Sequence, residues 1–183
     1  MMKSRSAILL VLLALGILML PGCSSAPKII TYQNPEYTIQ YPSDWTKSEE
    51  EGMIAFKSPV EDTSDTFQEL LTVKIIPDAT STLDEITTGT VKALKESITD
   101  INLLDSTETT LSGYPAHKVI YSGKSDEDEA RDVKMILVWA IKDNQLYLLT
   151  YAAEADTYSN YLGIVDAMMN SFTFVDSTQP ASS

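Results

Sequence analysis

The chain holds one thiol, Cys23, and one imidazole, His117. That scarcity limits the chemistry. A Ser-His-Asp arrangement would have to use His117 as its base, because general acid–base work at neutral pH falls mostly to imidazoles. His117 follows a turn ending at Pro115 and alternates with Val119 and Tyr121, so it is expected on a strand, bonded to a neighbour rather than poised for catalysis. One Cys and one His exclude the usual zinc sites, and a lone Cys excludes an intrachain disulfide framework. The seven glycines never cluster into a phosphate-cradling loop or a dinucleotide fingerprint, and no Gly-x-Ser-x-Gly elbow occurs.

Carboxylates are the other candidates. The densest run is Lys124-Ser125-Asp126-Glu127-Asp128-Glu129-Ala130-Arg131-Asp132, and carboxylate oxygens suit calcium. An EF-hand loop begun at Asp126 finds Asp128 in place but then meets Ala130, Arg131 and Leu137 where it needs an acid, a glycine and a glutamate. A solvated loop between two strands is the expected form of this run, with a loose calcium site as the alternative. Glu49-Glu50-Glu51 and Glu61-Asp62-Thr63-Ser64-Asp65 read the same way. Nine tyrosines are many for one domain. Tyr37, Tyr41, Tyr121 and Tyr151 are expected to pack with their hydroxyls at the rim of the core. Tyr158 and Tyr161 stand out as candidates for touching a partner, since Tyr is rigid and amphipathic.

Charge and length narrow the class. A chain of 183 residues with 26 Asp+Glu against 13 Lys+Arg has a net charge of −13. Phosphate-backbone binding needs clustered cations, so nucleic acid is not an expected partner. Hydrophobic residues make up 44 % and charged residues 21 %, the composition of a globular domain.

The N-terminus reads as an address. Lys3 and Arg5 precede the apolar run Ala7–Leu20. That run is short for a bilayer span of roughly 20 residues but suits a signal-peptide core. It ends at Leu20-Pro21-Gly22-Cys23, which resembles the lipobox of bacterial and archaeal lipoproteins. The resemblance implies a leader over residues 1–22, cut just before Cys23, and diacylglyceryl transfer to the Cys23 sulfur, with acyl groups such as palmitate. It also implies a place on the cell membrane or outer membrane, facing away from the cytoplasm. Two acyl chains hold a protein stably where one does not. The leader carries two of the basic residues and no acid, so the mature chain is more acidic still. Residues 23–28 would form a short tether, including Ser24-Ser25-Ala26-Pro27. Cys23 to Ile29 reaches roughly 20 Å when extended, beyond a Debye length of about 8 Å. The acidic domain is therefore expected to stand off the membrane.

Residues 29–175 form one unit, followed by a short tail over 176–183. Strand-like runs at Ile29–Gln33, Tyr37–Tyr41, Met53–Lys57 and Glu69–Ile76 come first. Thr82-Leu83-Asp84-Glu85 has capping-box spacing and opens a helix with Leu83, Ile86, Thr90, Val91, Leu94 and Ile98 on one side. Gly89 interrupts it and suggests a close approach to a sheet. Strands follow at Asp105–Leu111 and His117–Ser122, around a turn at Ser112-Gly113-Tyr114-Pro115. Two more, Val133–Ile141 and Leu146–Ala153, flank Asp143-Asn144, a hairpin signal. Val133–Ile141 is apolar on both faces and belongs in the middle of a sheet covered on both sides. A last helix starts near Asp156. Consecutive hairpins make this α+β with an antiparallel sheet flanked by helices.

Tyr37-Thr38-Ile39-Gln40-Tyr41-Pro42-Ser43-Asp44-Trp45 resembles the opening motif of the PsbP-like superfamily. Leu111-Ser112-Gly113-Tyr114-Pro115-Ala116 is similar to its mid-chain turn. Tyr147–Tyr151 and Asn170-Ser171-Phe172 are similar to its last strand and last helix. The resemblance implies an α/β/α sandwich. It also implies a non-enzymatic, lipid-anchored module that binds or helps assemble a membrane or envelope protein complex. An extracytoplasmic binder of a small ligand or a divalent cation such as calcium is the alternative.

Overall fold

A computed structural model of the chain describes residues 26–50, 52–63, 65–125 and 131–175. The leader, Cys23, the acids within 126–130 and the tail 176–183 lie outside the described residues.

The chain begins with a hairpin of β1 (Ile29–Gln33) and β2 (Tyr37–Pro42). Asn34 makes the turn, its Oδ1 accepting the N–H groups of Glu36 and Tyr37 at 2.9 and 2.8 Å, as a short polar side chain does when it mimics backbone. Next come β3 (Thr46–Glu50), β4 (Met53–Lys57) and β5 (Leu70–Ile76). The helix α1 (Leu83–Ser97) opens on the expected capping box, with the Thr82 and Glu85 side chains each bonding the other's backbone N–H. Four long strands follow: β6 (Thr99–Leu111), β7 (Tyr114–Lys124), β8 (Asp132–Lys142) and β9 (Gln145–Glu154). The chain closes with α2 (Tyr158–Asn170) and the two-residue β10 (Thr173–Phe174).

Seven strands form one sheet in the order β3-β4-β5-β9-β8-β7-β6, and β1-β2-β10 form a second. Each pairing is antiparallel. The expected α+β class, an antiparallel sheet with helices against both faces, is what the chain adopts. On one face Val119, Tyr121, Leu137 and Trp139 pack beneath α1. On the other, Ile136, Val138, Leu149 and Tyr151 join Val165 and Met168 of α2 and Tyr37 and Ile39 of the small sheet. Strand β8 thus serves both cores, as its two apolar faces required.

The hairpin turns are legible in the backbone. Asp143 and Asn144 sit at φ of 52° and 59°, and Ser112 and Gly113 at 50° and 81°. Two consecutive left-handed residues make the turn whose twist matches that of the flanking strands. Tyr114 and Pro115, expected in the turn, instead begin β7.

Other departures have physical causes. Strand β3 reads Thr-Lys-Ser-Glu-Glu and has no apolar face, because it is an edge strand exposed to water. Strand β6 starts six residues before Asp105, through two register shifts. Gly89 approaches nothing: a Cβ built there meets no atom within 4 Å. The expected close approach to the sheet is therefore corrected to open space.

Candidate functional site

His117 lies on the α1 face of the sheet, as the alternation with Val119 and Tyr121 required. Its Nε2 is 2.9 Å from the Ser106 hydroxyl, and its ring leans on Trp139 with centroids 5.5 Å apart. A hydroxyl and an imidazole in contact are two parts of a nucleophile–base unit, but no carboxylate in the described hydrogen-bond network orients this ring. The pair links neighbouring strands on the sheet surface.

The two tyrosines expected to reach a partner are already occupied. Tyr158 is 5 % exposed. Its carbonyl accepts the Tyr151 hydroxyl at 3.0 Å, and Lys134 sits over its ring. Tyr161 packs edge-on against Trp45, and its hydroxyl donates to Glu61 at 2.9 Å. Both therefore brace the fold. Their spacing on a helix with little charge is the same whether the partner is a second protein or the body of this one.

The acid run stands on a closed stem. Lys124 pairs with Asp132 at 2.8 Å, and Ser125 N–H donates to the Arg131 carbonyl. The Asp132 carboxylate is thus engaged with Lys124. Among the described residues no group of three or more His, Cys, Asp or Glu is arranged to hold a metal ion.

The site with usable shape is elsewhere. Helix α2 covers only part of its face of the sheet and leaves a cleft of about 380 Å³ beside β6 and β7. Its floor is apolar, made by Ile120, Ile136 and Val138. Its rim carries Thr109, Lys118 and, from α2, Asp166. The strand period explains the set: His117 and Val119 point to α1, so Lys118 and Ile120 point the other way. Lys118 pairs with Asp105 at 3.6 Å. Burial, and then the Asp166 charge, push the Tyr158 hydroxyl above its ordinary pKa, so it stays neutral. The cleft therefore offers three apolar floor residues beside hydroxyls and one charge of each sign.

Strand β6 adds a second feature. It ends the seven-stranded sheet, so among the described residues its outer edge has no partner strand. Its irregularities fall before Asp105, and from Asp105 to Leu111 the register with β7 is unbroken. The edge from Ser106 to Thr110 is exposed and bears no Lys, Arg or Pro, its one charge being Glu108.

A family model described as PsbP-like protein matches residues 23–174. The chain belongs to the PsbP-like family. Sequence comparison with curated proteins yields no match. Among solved structures, cyanobacterial PsbP (CyanoP) from Synechocystis sp. PCC 6803 is similar at 15 % identity and a TM-score of 0.56, covering 87 % of this chain and 100 % of that one. LpqN of Mycobacterium tuberculosis, described as involved in cell envelope biogenesis, is similar at 14 % identity and 0.60, covering 81 % and 90 %. The Saccharomyces cerevisiae Ran-binding protein Mog1p is similar at 12 % identity and 0.59, covering 84 % and 98 %. At these identities the likeness concerns the fold. Among the described residues, no helix of the PsbP-like domain is long and apolar enough to cross a membrane.

Neither the cleft nor the edge emerged from sequence reasoning. Thr109, Lys118 and Asp166 are scattered over two strands and a helix, and no local pattern joins them. The signal available was composition: a long Thr-rich strand without a basic residue.

Proposed function

We propose that this chain is a lipid-anchored PsbP-like module, facing outside the cytoplasm, that binds a protein partner of the membrane or envelope without catalysis. Cys23 carries the anchor. The partner adds an extended segment along β6 and sets apolar side chains into the cleft floored by Ile120, Ile136 and Val138. The observation that carries this reading is the edge from Asp105 to Leu111, unbroken in register and lying beside that cleft. Strand addition takes affinity from main-chain hydrogen bonds and specificity from adjacent pockets. Proteins of similar fold include one that binds Ran and one involved in cell envelope biogenesis, which is in keeping with a binding role.

The test is photo-crosslinking in intact cells, with the crosslinker at Thr109 and, as a control, at Thr88 on α1. The expected result is a discrete protein adduct from Thr109 and none from Thr88, with the adduct lost when Cys23→Ser releases the protein from the membrane fraction. Equal crosslinking from both positions defeats the edge reading. A Cys23→Ser protein still carrying lipid in the membrane fraction defeats the anchor.

A further inference from the structure

A second groove lies on the other side of α2. It is about 420 Å³ in volume and lies between β1, β2 and the helix, with Ile29, Tyr41, Ile164 and Met168 in its walls. Ile29 is 62 % exposed and Ile164 36 %. The chain has twice as many acids as bases, yet among the described residues no Asp, Glu, Lys or Arg lines this groove. Along α2 the facing stripe is Asn160, Gly163, Ile164 and Ala167, without a charge. Lys28, between the lining residues Pro27 and Ile29, is exposed, and its carbonyl accepts the Ser43 N–H at 2.7 Å; Asp166, next to the lining residue Ala167, belongs to the cleft on the other side of α2.

Ala26 and Pro27 themselves line the groove. The chain is therefore seated on the domain two residues before Lys28, and only three peptide units separate Ala26 from Cys23. That distance cannot exceed about 11 Å, roughly half the reach expected of the full tether. A domain held that close lies near the Debye length of about 8 Å from the headgroups. An acidic face turned to anionic lipid would be repelled at that distance. An uncharged apolar face with one lysine beside it would not, because apolar side chains gain by leaving water and a cation gains near anionic headgroups.

We propose that this groove face, with Ile29 and Ile164 at its crest, rests on the lipid surface and fixes the orientation of the domain. The proposal rests on Cys23 being the lipid anchor. With this face down, the cleft and the β6 edge are presented to a partner beside the module rather than to bulk solution alone.

The experiment uses the intact lipidated protein in vesicles of phosphatidylethanolamine and phosphatidylglycerol. A fluorophore is placed at Ile164→Cys or, as a control, at Thr88→Cys on α1; acylation leaves Cys23 without a free thiol to compete. Doxyl groups on the lipid acyl chains should quench the Ile164 probe several-fold more than the Thr88 probe, and aqueous iodide should do the reverse. Equal lipid quenching at both positions overturns the proposal. So does an Ile164 probe shielded from iodide but untouched by doxyl lipid, since a second copy or another protein would then cover the face. Mass spectrometry of the same sample reads the lipid on Cys23. A lipid-free chain overturns the anchor and this proposal together, whereas a lipidated chain with an unquenched Ile164 probe overturns the orientation alone.

Discussion

Glu69 is a carboxylate 3 % exposed, and among the described residues its side chain is held by hydroxyls. Its Oε2 accepts the Ser58 hydroxyl at 2.8 Å and its Oε1 the Thr157 hydroxyl at 2.7 Å, while its own N–H donates to Ser58 Oγ at 2.9 Å. These bonds close the neck of the 58–69 excursion and tie it to the start of α2. Thr157 itself stands at the N-cap of α2 with no side-chain cap bond, its backbone at φ −91° and ψ −14° being helical where a capping residue is usually extended. Hydrogen bonds to a charged group are worth about 1.5–3 kcal/mol, and orphaned buried hydroxyls add cost. Glu69→Ala should therefore lose about 2–4 kcal/mol in urea denaturation. Glu69→Gln should lose about 1–2 kcal/mol, because an amide can still accept one hydroxyl and donate to the other.

Helix α1 is the lightly held element. None of its residues is fully buried, and Leu83, Ile86, Val91, Leu94 and Ile98 meet the sheet only as half-covered side chains. Its capping box supplies what packing does not. Gly89 sits in its middle with open space where a Cβ would stand, so nothing in the packing requires a glycine. A helix-interior Gly costs about 0.5–1 kcal/mol relative to Ala. Gly89→Ala should raise the unfolding free energy by about that amount and slow amide hydrogen exchange along α1. Unchanged or lower stability would mean that α1 gains from the flexibility of its middle. Strand β6, at the far edge of the sheet, shows the opposite design: irregular up to Asp105, then regular and exposed where the partner is proposed to dock.

Across the whole molecule the tyrosines set the alkaline limit. Burial pushes the Tyr121 hydroxyl up to about 12, and it raises those of Tyr37 and Tyr151 further. The folded state thus favours the neutral phenol. Its contribution is complete below the unfolded pKa of about 10 and is lost as pH climbs through the folded values. For Tyr121 alone the shift corresponds to roughly 2–3 kcal/mol. Stability should therefore fall steeply above about pH 10, and buried phenolate absorbance should appear together with loss of circular dichroism. Phenolate from these residues forming while the dichroism stays native would contradict the burial.

The sequence by itself determined what depends on neighbours along the chain. The Asn34 turn, the Asp143-Asn144 hairpin, the capping box at Thr82 and the doubly apolar β8 are each written in a few adjacent residues, and each is present. Their order also carried the PsbP-like resemblance. Tertiary structure alone decided what depends on distant partners. It set β5 beside β9 with a helix and three strands between them in sequence, and it made a strand of the charged Thr46–Glu50 by pairing it to β4. Tyr158 and Tyr161 were turned inward by contacts with Tyr151, Trp45 and Glu61, which no helical period can distinguish from contacts with another protein. The cleft exists because α2 is narrower than the sheet it covers, a relation between whole elements that no stretch of residues encodes alone.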